Sequence, residues 1–229
     1  MHKSAQELGK LFLLNYLISP NMKVLDIGSL SVNGSLKDHI PSNASYIGCD
    51  LVDGPNVDVI LEDPYKLPFD ESSIDVITCS SVFEHSDFFW VLYIEFLRVL
   101  KPSGLIYLNV PTNGEYHRYP VDCWRFYPDS GRSLEKWGNK NGFNNCLIES
   151  FIMKRGCDGW NDFVAVFIKD KNFINKYPNR ISQNTTQIIN ISLFGESEIG
   201  NKKLSWSNYS IDYFYNSLKK YIKKYLKNE

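Results

Sequence analysis

Two acids, two histidines and two arginines stand where this 229-residue chain could do chemistry. The stretch Lys23-Val24-Leu25-Asp26-Ile27-Gly28 is a short apolar run closed by an acid and a glycine. Its apolar residues read as a buried strand, and Gly28 permits a sharp turn where a side chain would block a ligand. A second run, Tyr46-Ile47-Gly48-Cys49, ends in Asp50. Two strands ending in carboxylates, one βαβ unit apart, suit a nucleoside. The first acid and glycine stand at the ligand's middle, and the second acid accepts hydrogen bonds from ribose hydroxyls. Downstream, His85 and His117 are the histidines placed to open onto a cleft, and imidazole is the natural base at neutral pH. Arg118 and Arg125 suit a clamp on phosphate or carboxylate, or ion pairs with Asp122 or Asp129. The rings of Tyr116, Tyr119, Trp124, Phe126 and Tyr127 suit stacking on a sugar or base, and equally a small core of their own.

These residues need a frame. Ser4–Ser19 reads as an amphipathic helix ended by Pro20. Strands follow at Lys23–Ile27, Tyr46–Cys49, Val57–Leu61 and Ile74–Cys79, with a short helix at Ser35–Ile40 between the first two. Ile74–Cys79 is almost wholly apolar, as a central strand is. A helix spans Asp87–Leu100, Lys101-Pro102-Ser103-Gly104 stops it, and Leu105–Val110 is the fifth strand. Residues 111–131 form a long aromatic loop, a length that in a compact domain signals function. A short helix, Ser133–Asn141, precedes a closing antiparallel pair, Leu147–Met153 with Phe163–Ile168. The expectation is an α/β fold: a Rossmann-like, seven-stranded, mostly parallel sheet with an antiparallel final pair, helices on both faces, and a helical C-terminal extension. Residues 1–170 form the domain. Residues 171–229 form a basic extension whose last part, 211–227, reads as an amphipathic helix.

Charge sharpens this division. Residues 1–170 carry 15 Lys and Arg against 22 Asp and Glu, a net −7, and residues 171–229 carry 10 against 4, a net +6. An acidic site disfavours nucleic acid as substrate. The five cysteines contain no C-x-x-C pair, which fits reduced thiols in a cytoplasmic protein. No leader-like segment and no membrane-length apolar run is present.

Taken together, Val24-Leu25-Asp26-Ile27-Gly28, Asp50, Leu67-Pro68-Phe69, Ile74-Asp75-Val76-Ile77, Val82-Phe83-Glu84-His85 and Leu97-Arg98-Val99-Leu100-Lys101-Pro102-Ser103-Gly104-Leu105 resemble the class I S-adenosylmethionine-dependent methyltransferases of the type 11 group. The resemblance covers about residues 20–170. The loop from Tyr116 to Pro128 resembles a narrower bacterial branch associated with surface-polysaccharide genes. One departure stands out: after Gly28 the chain runs Ser29-Leu30-Ser31-Val32-Asn33 before Gly34, whereas the usual turn has a glycine at every second position.

The resemblance implies S-adenosylmethionine as cofactor. It places Asp26, Gly28 and Gly34 around the methionine part, and Asp50 with Leu51 at the ribose. Asp63 and Pro64 fall at the adenine edge, where Asp-Pro also serves as a plain turn, and Ser80 and Ser81 at the methionine end. It implies methyl transfer to a hydroxyl of a small polar acceptor, a sugar above all, by in-line displacement. His117 is favoured as base, with Asp122 or Glu115 orienting it and His85 as the second candidate. Tyr116, Arg118, Trp124 and Arg125 would hold the acceptor. No metal is expected, since no pair of adjacent acids follows strand four or five. The other readings are a non-catalytic binding domain that keeps the fold, and an RNA methyltransferase, supported only by the basic tail. That extension would cap the cleft, dock on the domain or form a homodimer.

Overall fold

The computed structural model describes residues 3–31, 34–154, 160–200 and 218–219. Its element order is α1 (Lys3–Tyr16), β1 (Lys23–Ile27), β2 (Ser45–Asp50), β3 (Val59–Ile60), β4 (Ile74–Ser80), α2 (Phe89–Val99), β5 (Leu100–Pro111), α3 (Ser130–Lys140), β6 (Cys146–Met153), β7 (Asp162–Ile168) and β8 (Ile188–Leu193). The strands make one sheet in the order β3-β2-β1-β4-β5-β7-β6-β8. Strands β1 to β5 pair in parallel, and the β5–β7, β6–β7 and β6–β8 pairs are antiparallel.

Both faces of the sheet are covered, so its strands are apolar throughout rather than alternating. Leu25, Ile77, Ile106 and Phe167 cluster with Leu92 and Phe96 of α2 and Leu134 of α3. Val24, Val76, Tyr107 and Val166 cluster with Leu8, Phe12 and Tyr16 of α1. Register matters most for function. Asp26 lies opposite Gly48 and Thr78, and Ser80 lies opposite Asn109. Gly28, Asp50, Ser80 and Asn109 therefore share one edge of the sheet. Strand order reverses between β1 and β4, and a crevice opens at their carboxyl ends, where open α/β sheets bind ligands.

The expected elements change at several points. The sheet has eight strands, not seven. The additional strand, β8, comes from the Ile188–Leu193 cluster, which pairs with β6 and buries Ile188 and Ile189. The short helix at 35–40 is only a 3₁₀ turn, Lys37–His39, where the Ser35 hydroxyl takes the Lys37 amide proton. The helix expected at 211–227 lies outside the described residues, apart from the helical pair 218–219.

Residues 177–193 are bolted down by one buried acid. Glu149 of β6 accepts hydrogen bonds from the Tyr16 hydroxyl at 2.7 Å, the Ile181 amide at 2.7 Å and the Ser182 amide at 3.0 Å. Burial and the neighbouring carboxylate push the Tyr16 phenol far above its ordinary value, so it stays a donor. Replacing Glu149 by alanine strands two buried donors and one half-buried one, and each buried donor costs about 1–3 kcal/mol when left unpaired. Glu149→Ala is expected to lower the urea midpoint clearly, and an unchanged midpoint would contradict this role.

Candidate functional site

The crevice begins at the turn after β1. Gly28 has φ +76°, and a side chain there would drive into Val82. Its amide and that of Ser29 both donate to the Cys49 carbonyl, at 2.9 and 3.1 Å, which folds the turn back over the tip of β2. Asp50 then fixes the turn: its carboxylate accepts from the Leu30 amide at 3.0 Å and the Leu51 amide at 2.7 Å. Each oxygen takes one proton and so keeps acceptor capacity for a diol. Leu51 is 48% exposed beside it, an apolar surface next to a polar grip. Gly34 closes the turn with φ +112° against Gln6 of α1.

Asp26 lies deeper. It is 3% exposed, and its oxygens accept from the Thr78 hydroxyl at 2.6 Å and the Tyr46 hydroxyl at 2.9 Å. Burial raises its pKa to about 6, and those two donors hold it down from going higher. Asp63 is exposed, and its side chain takes the Tyr65 amide at 2.8 Å to open a turn at Pro64. Ser80 is buried at the end of β4, and Ser81 takes a left-handed φ of +57° with its amide on the Asn109 carbonyl.

Four buried polar atoms near the crevice, Ser29 Oγ, Ser80 Oγ, Glu84 Oε2 and Asn109 Oδ1, have no hydrogen-bond partner among the described residues. Buried polar groups are nearly always paired, so such a set marks a place that a polar ligand or water completes. The amino acid end of S-adenosylmethionine, with its ammonium and carboxylate, fits this donor and acceptor set. Its ribose fits the remaining capacity of Asp50.

The aromatic loop folds over this edge. The Glu84 carbonyl accepts the Cys123 and Trp124 amides at 2.7 and 3.2 Å, and Phe126 bonds back to Pro111 at 3.0 Å. This brings His85, His117 and Asp122 together: the imidazoles meet edge to face at 5.0 Å. His85 Nδ1 faces the Val121 carbonyl and His117 Nδ1 faces the Glu115 carbonyl at 3.1 Å. A carbonyl only accepts, so both Nδ1 atoms carry a proton, and in a neutral ring Nε2 is then the acceptor. Burial lowers the His85 pKa, which favours the neutral base. The backbone carbonyl of Glu115, not its carboxylate, orients His117, and Asp122 Oδ2 lies 3.5 Å from the ring.

Asp122 is largely spoken for. Arg125 grips both its oxygens, at 2.5 and 2.8 Å, and the His117 amide adds a third bond at 2.8 Å. The guanidinium beside it holds this carboxyl well below its ordinary value. Arg125 also reaches the Trp124 and Glu115 carbonyls, so its Nη1 and Nη2 groups are spent on the loop itself. Arg118 is exposed and uses only Nε, on the Pro120 carbonyl at 3.1 Å. Tyr116 is 74% exposed, and Trp124 ties its indole N–H to the Ser86 carbonyl at 2.9 Å. One atom each from His85, His117 and Asp122 fall within 4.8 Å, the spacing of a cation triad. The Arg125 fork already supplies the positive charge this carboxylate calls for, so the donor set fits the arginine better than a second cation.

Sequence reasoning passed over Glu84, although an acid directly before His85 was the available signal. Glu84 is 1% exposed, and its Oε1 sits 3.8 Å from His85 Nε2. Burial raises its pKa to about 8, with Arg125 opposing and Asp122 and Asp162 adding to the rise. The carboxyl is therefore largely protonated at neutral pH. A folded-state value above the unfolded one costs stability as pH rises from about 4.5 to 8. Glu84→Gln is expected to flatten that fall in denaturant unfolding measured between pH 5 and 8. An equally steep fall in the variant would contradict the assignment.

Comparisons with known proteins bear on the fold and on part of the chain. Residues 26–108 match the family model described as a methyltransferase domain. The match runs from the end of β1 through most of β5 and so includes Asp26, Gly28, Asp50, Ser80 and both members of the Glu84-His85 pair. No curated protein sequence matches the chain. Among solved structures, a Burkholderia thailandensis 1,6-didemethyltoxoflavin-N1-methyltransferase, bound to its substrate and S-adenosylhomocysteine, is similar with a TM-score of 0.57 and 16% identity, over 74% of this chain and 80% of that one. A protein from Galdieria sulphuraria assigned as a sarcosine dimethylglycine methyltransferase gives 0.54 and 13%, over 73% and 86%. The cyclase SpnF gives 0.54 and 14%, over 72% and 81%. At these identities the likeness is one of fold. No helix among the described residues is long and apolar enough to cross a membrane.

Proposed function

We propose that this chain is an S-adenosylmethionine-dependent methyltransferase acting on a hydroxyl oxygen of a small polar acceptor, most simply a sugar linked to a nucleotide or held in a surface glycan. The observation that carries the reading is the crevice at the β1–β4 switch point. There a carboxylate with spare acceptor capacity, Asp50, and a set of unpaired buried polar atoms gather at the same end of the sheet. The methyltransferase-domain match over residues 26–108 and the structural neighbour with bound S-adenosylhomocysteine support the choice of cofactor. When bound, that cofactor supplies a methyl group on a sulfonium, open to in-line displacement.

The chain's own residues do the rest. Asp50 grips the diol, and the backbone around Gly28 and Ser29 leaves room beside it. The loop over residues 111–129 excludes water, which strengthens every charge interaction beneath it. His117 takes the acceptor hydroxyl's proton on Nε2, its Nδ1–H fixed by the Glu115 carbonyl. The more exposed of the two rings, it can pass that proton on to solvent, and the neutral His85 packs edge-on behind it. The exposed Arg118 fork suits an acceptor phosphate, with Tyr116 beside it for stacking. The Arg125–Asp122 pair supports a reaction without a metal.

Calorimetry with S-adenosylhomocysteine tests the first half: Asp50→Ala should weaken binding at least about tenfold, since hydrogen bonds to a charged acceptor are worth about 1.5–3 kcal/mol. Wild-type affinity in the variant would sink the cofactor assignment. His117→Ala should lower turnover about 10²-fold or more with cofactor affinity unchanged, and a loss confined to His85→Ala would move the base to that ring. In an acceptor screen, methylation of amines with every sugar nucleotide inert would overturn the oxygen acceptor. Full activity in chelator is expected, and loss restored by magnesium would overturn the metal-free reading.

A further inference from the structure

Behind the loop lies a second cavity, of about 510 Å³, between α2, α3 and residues 124–130. Its walls include Phe89, Trp90, Trp124, Tyr127 and Trp137, with Asp129 among its lining residues. The rings stand at right angles as in a box: Trp90 to Trp124 is 75° at 5.8 Å, and Phe89 to Trp124 is 77° at 5.5 Å. The walls offer few hydrogen bonds. The Trp124 indole donates to the Ser86 carbonyl, and the Trp137 indole to the Trp90 carbonyl at 2.9 Å. Arg125 also lines the cavity, but Asp122 neutralises it and its Nη1 and Nη2 groups are spent on the loop.

With walls this largely aromatic, and only the Tyr127, Ser130 and Ser133 hydroxyls and Arg125 among the neutral or cationic polar groups besides the indoles, a sugar or an anion would regain few of the bonds it loses with its hydration. Ring faces carry negative charge density and attract cations. The Asp129 carboxylate has no partner among the described residues and caps none of α3's amides. Its full charge exceeds the roughly half charge of a helix N-terminus. We infer that this aromatic chamber is a second binding site, taking an organic cation such as a quaternary or tertiary ammonium group. The inference concerns binding alone and stands whether or not the crevice transfers methyl groups.

The test is a titration of the full chain with choline and, separately, with its uncharged isostere 3,3-dimethylbutan-1-ol, without cofactor. The indole N–H signals of the five tryptophans report the place of binding. The expected result is that choline shifts the signals of Trp90, Trp124 and Trp137, and binds about tenfold or more tightly than the alcohol, within the range of a desolvated cation–π contact. Asp129→Asn, at an exposed position that leaves the fold alone, should weaken choline several-fold and leave the alcohol unchanged. Equal binding of the two probes would make the chamber a plain apolar pocket and overturn the proposal. So would shifts elsewhere, or no binding of choline at all.

Discussion

A buried carboxylate organises the centre of this molecule. Asp26 sits on β1 directly beneath the crevice and takes one hydroxyl proton from β2 and one from β4. An acid this deep survives only because those two donors stand in for water. The bonds tie three strands side by side at the level where the strand order reverses, so the tips above them are held in fixed relation. The turn at Gly28, the Asp50 grip and the Ser80–Ser81 corner all depend on that alignment. The acid at the end of the first strand thus has a structural task, whatever it also does for a ligand.

A second theme is how few charges are left free. Arg125 and Asp122 neutralise each other, Glu84 keeps its proton near pH 7, and the histidine Nδ1 atoms are bound to carbonyls. Among the described residues, what remains uncommitted there is small and directional: the two imidazole Nε2 atoms, the outer nitrogens of Arg118, the spare capacity of Asp50 and the four unpaired buried atoms near the strand ends. A site pared down in this way puts its polarity at the positions that meet a ligand and removes competing partners.

Legibility in the sequence followed burial. The central strands β1 and β4 read almost to the residue because a strand covered on both faces is apolar along its whole length. β3 shrank to Val59–Ile60, at an edge where Ile60 is half exposed and pairing is sparse. β5 begins five residues earlier than its apolar run, because Leu100 pairs with Ile74 across an irregularity that no local pattern encodes. β8 was invisible as a strand because its surroundings read as a polar tail. Only the receptive edge of β6, and Glu149 beneath it, make those few isoleucines part of the sheet. At the site, the types and order of Asp26, Asp50, His85 and His117 were readable. Which arginine stays exposed and which serves its own loop was not, since the Arg125–Asp122 fork is settled by the path of a long irregular segment.

The Glu149 bolt also bears on where this protein can be shortened. It clamps the tail end of α1 through Tyr16, while the front of the same helix reaches the crevice through Ser4, which bonds to Asp162, and through Gln6, which abuts Gly34. One rigid rod therefore runs from the distal margin of the sheet to the rim of the pocket. Trimming the chain at the compositional break near residue 170 would remove two of the three protons that satisfy that acid. The loss would be carried along the rod to a rim some twenty ångströms away, about the length of a fourteen-residue helix.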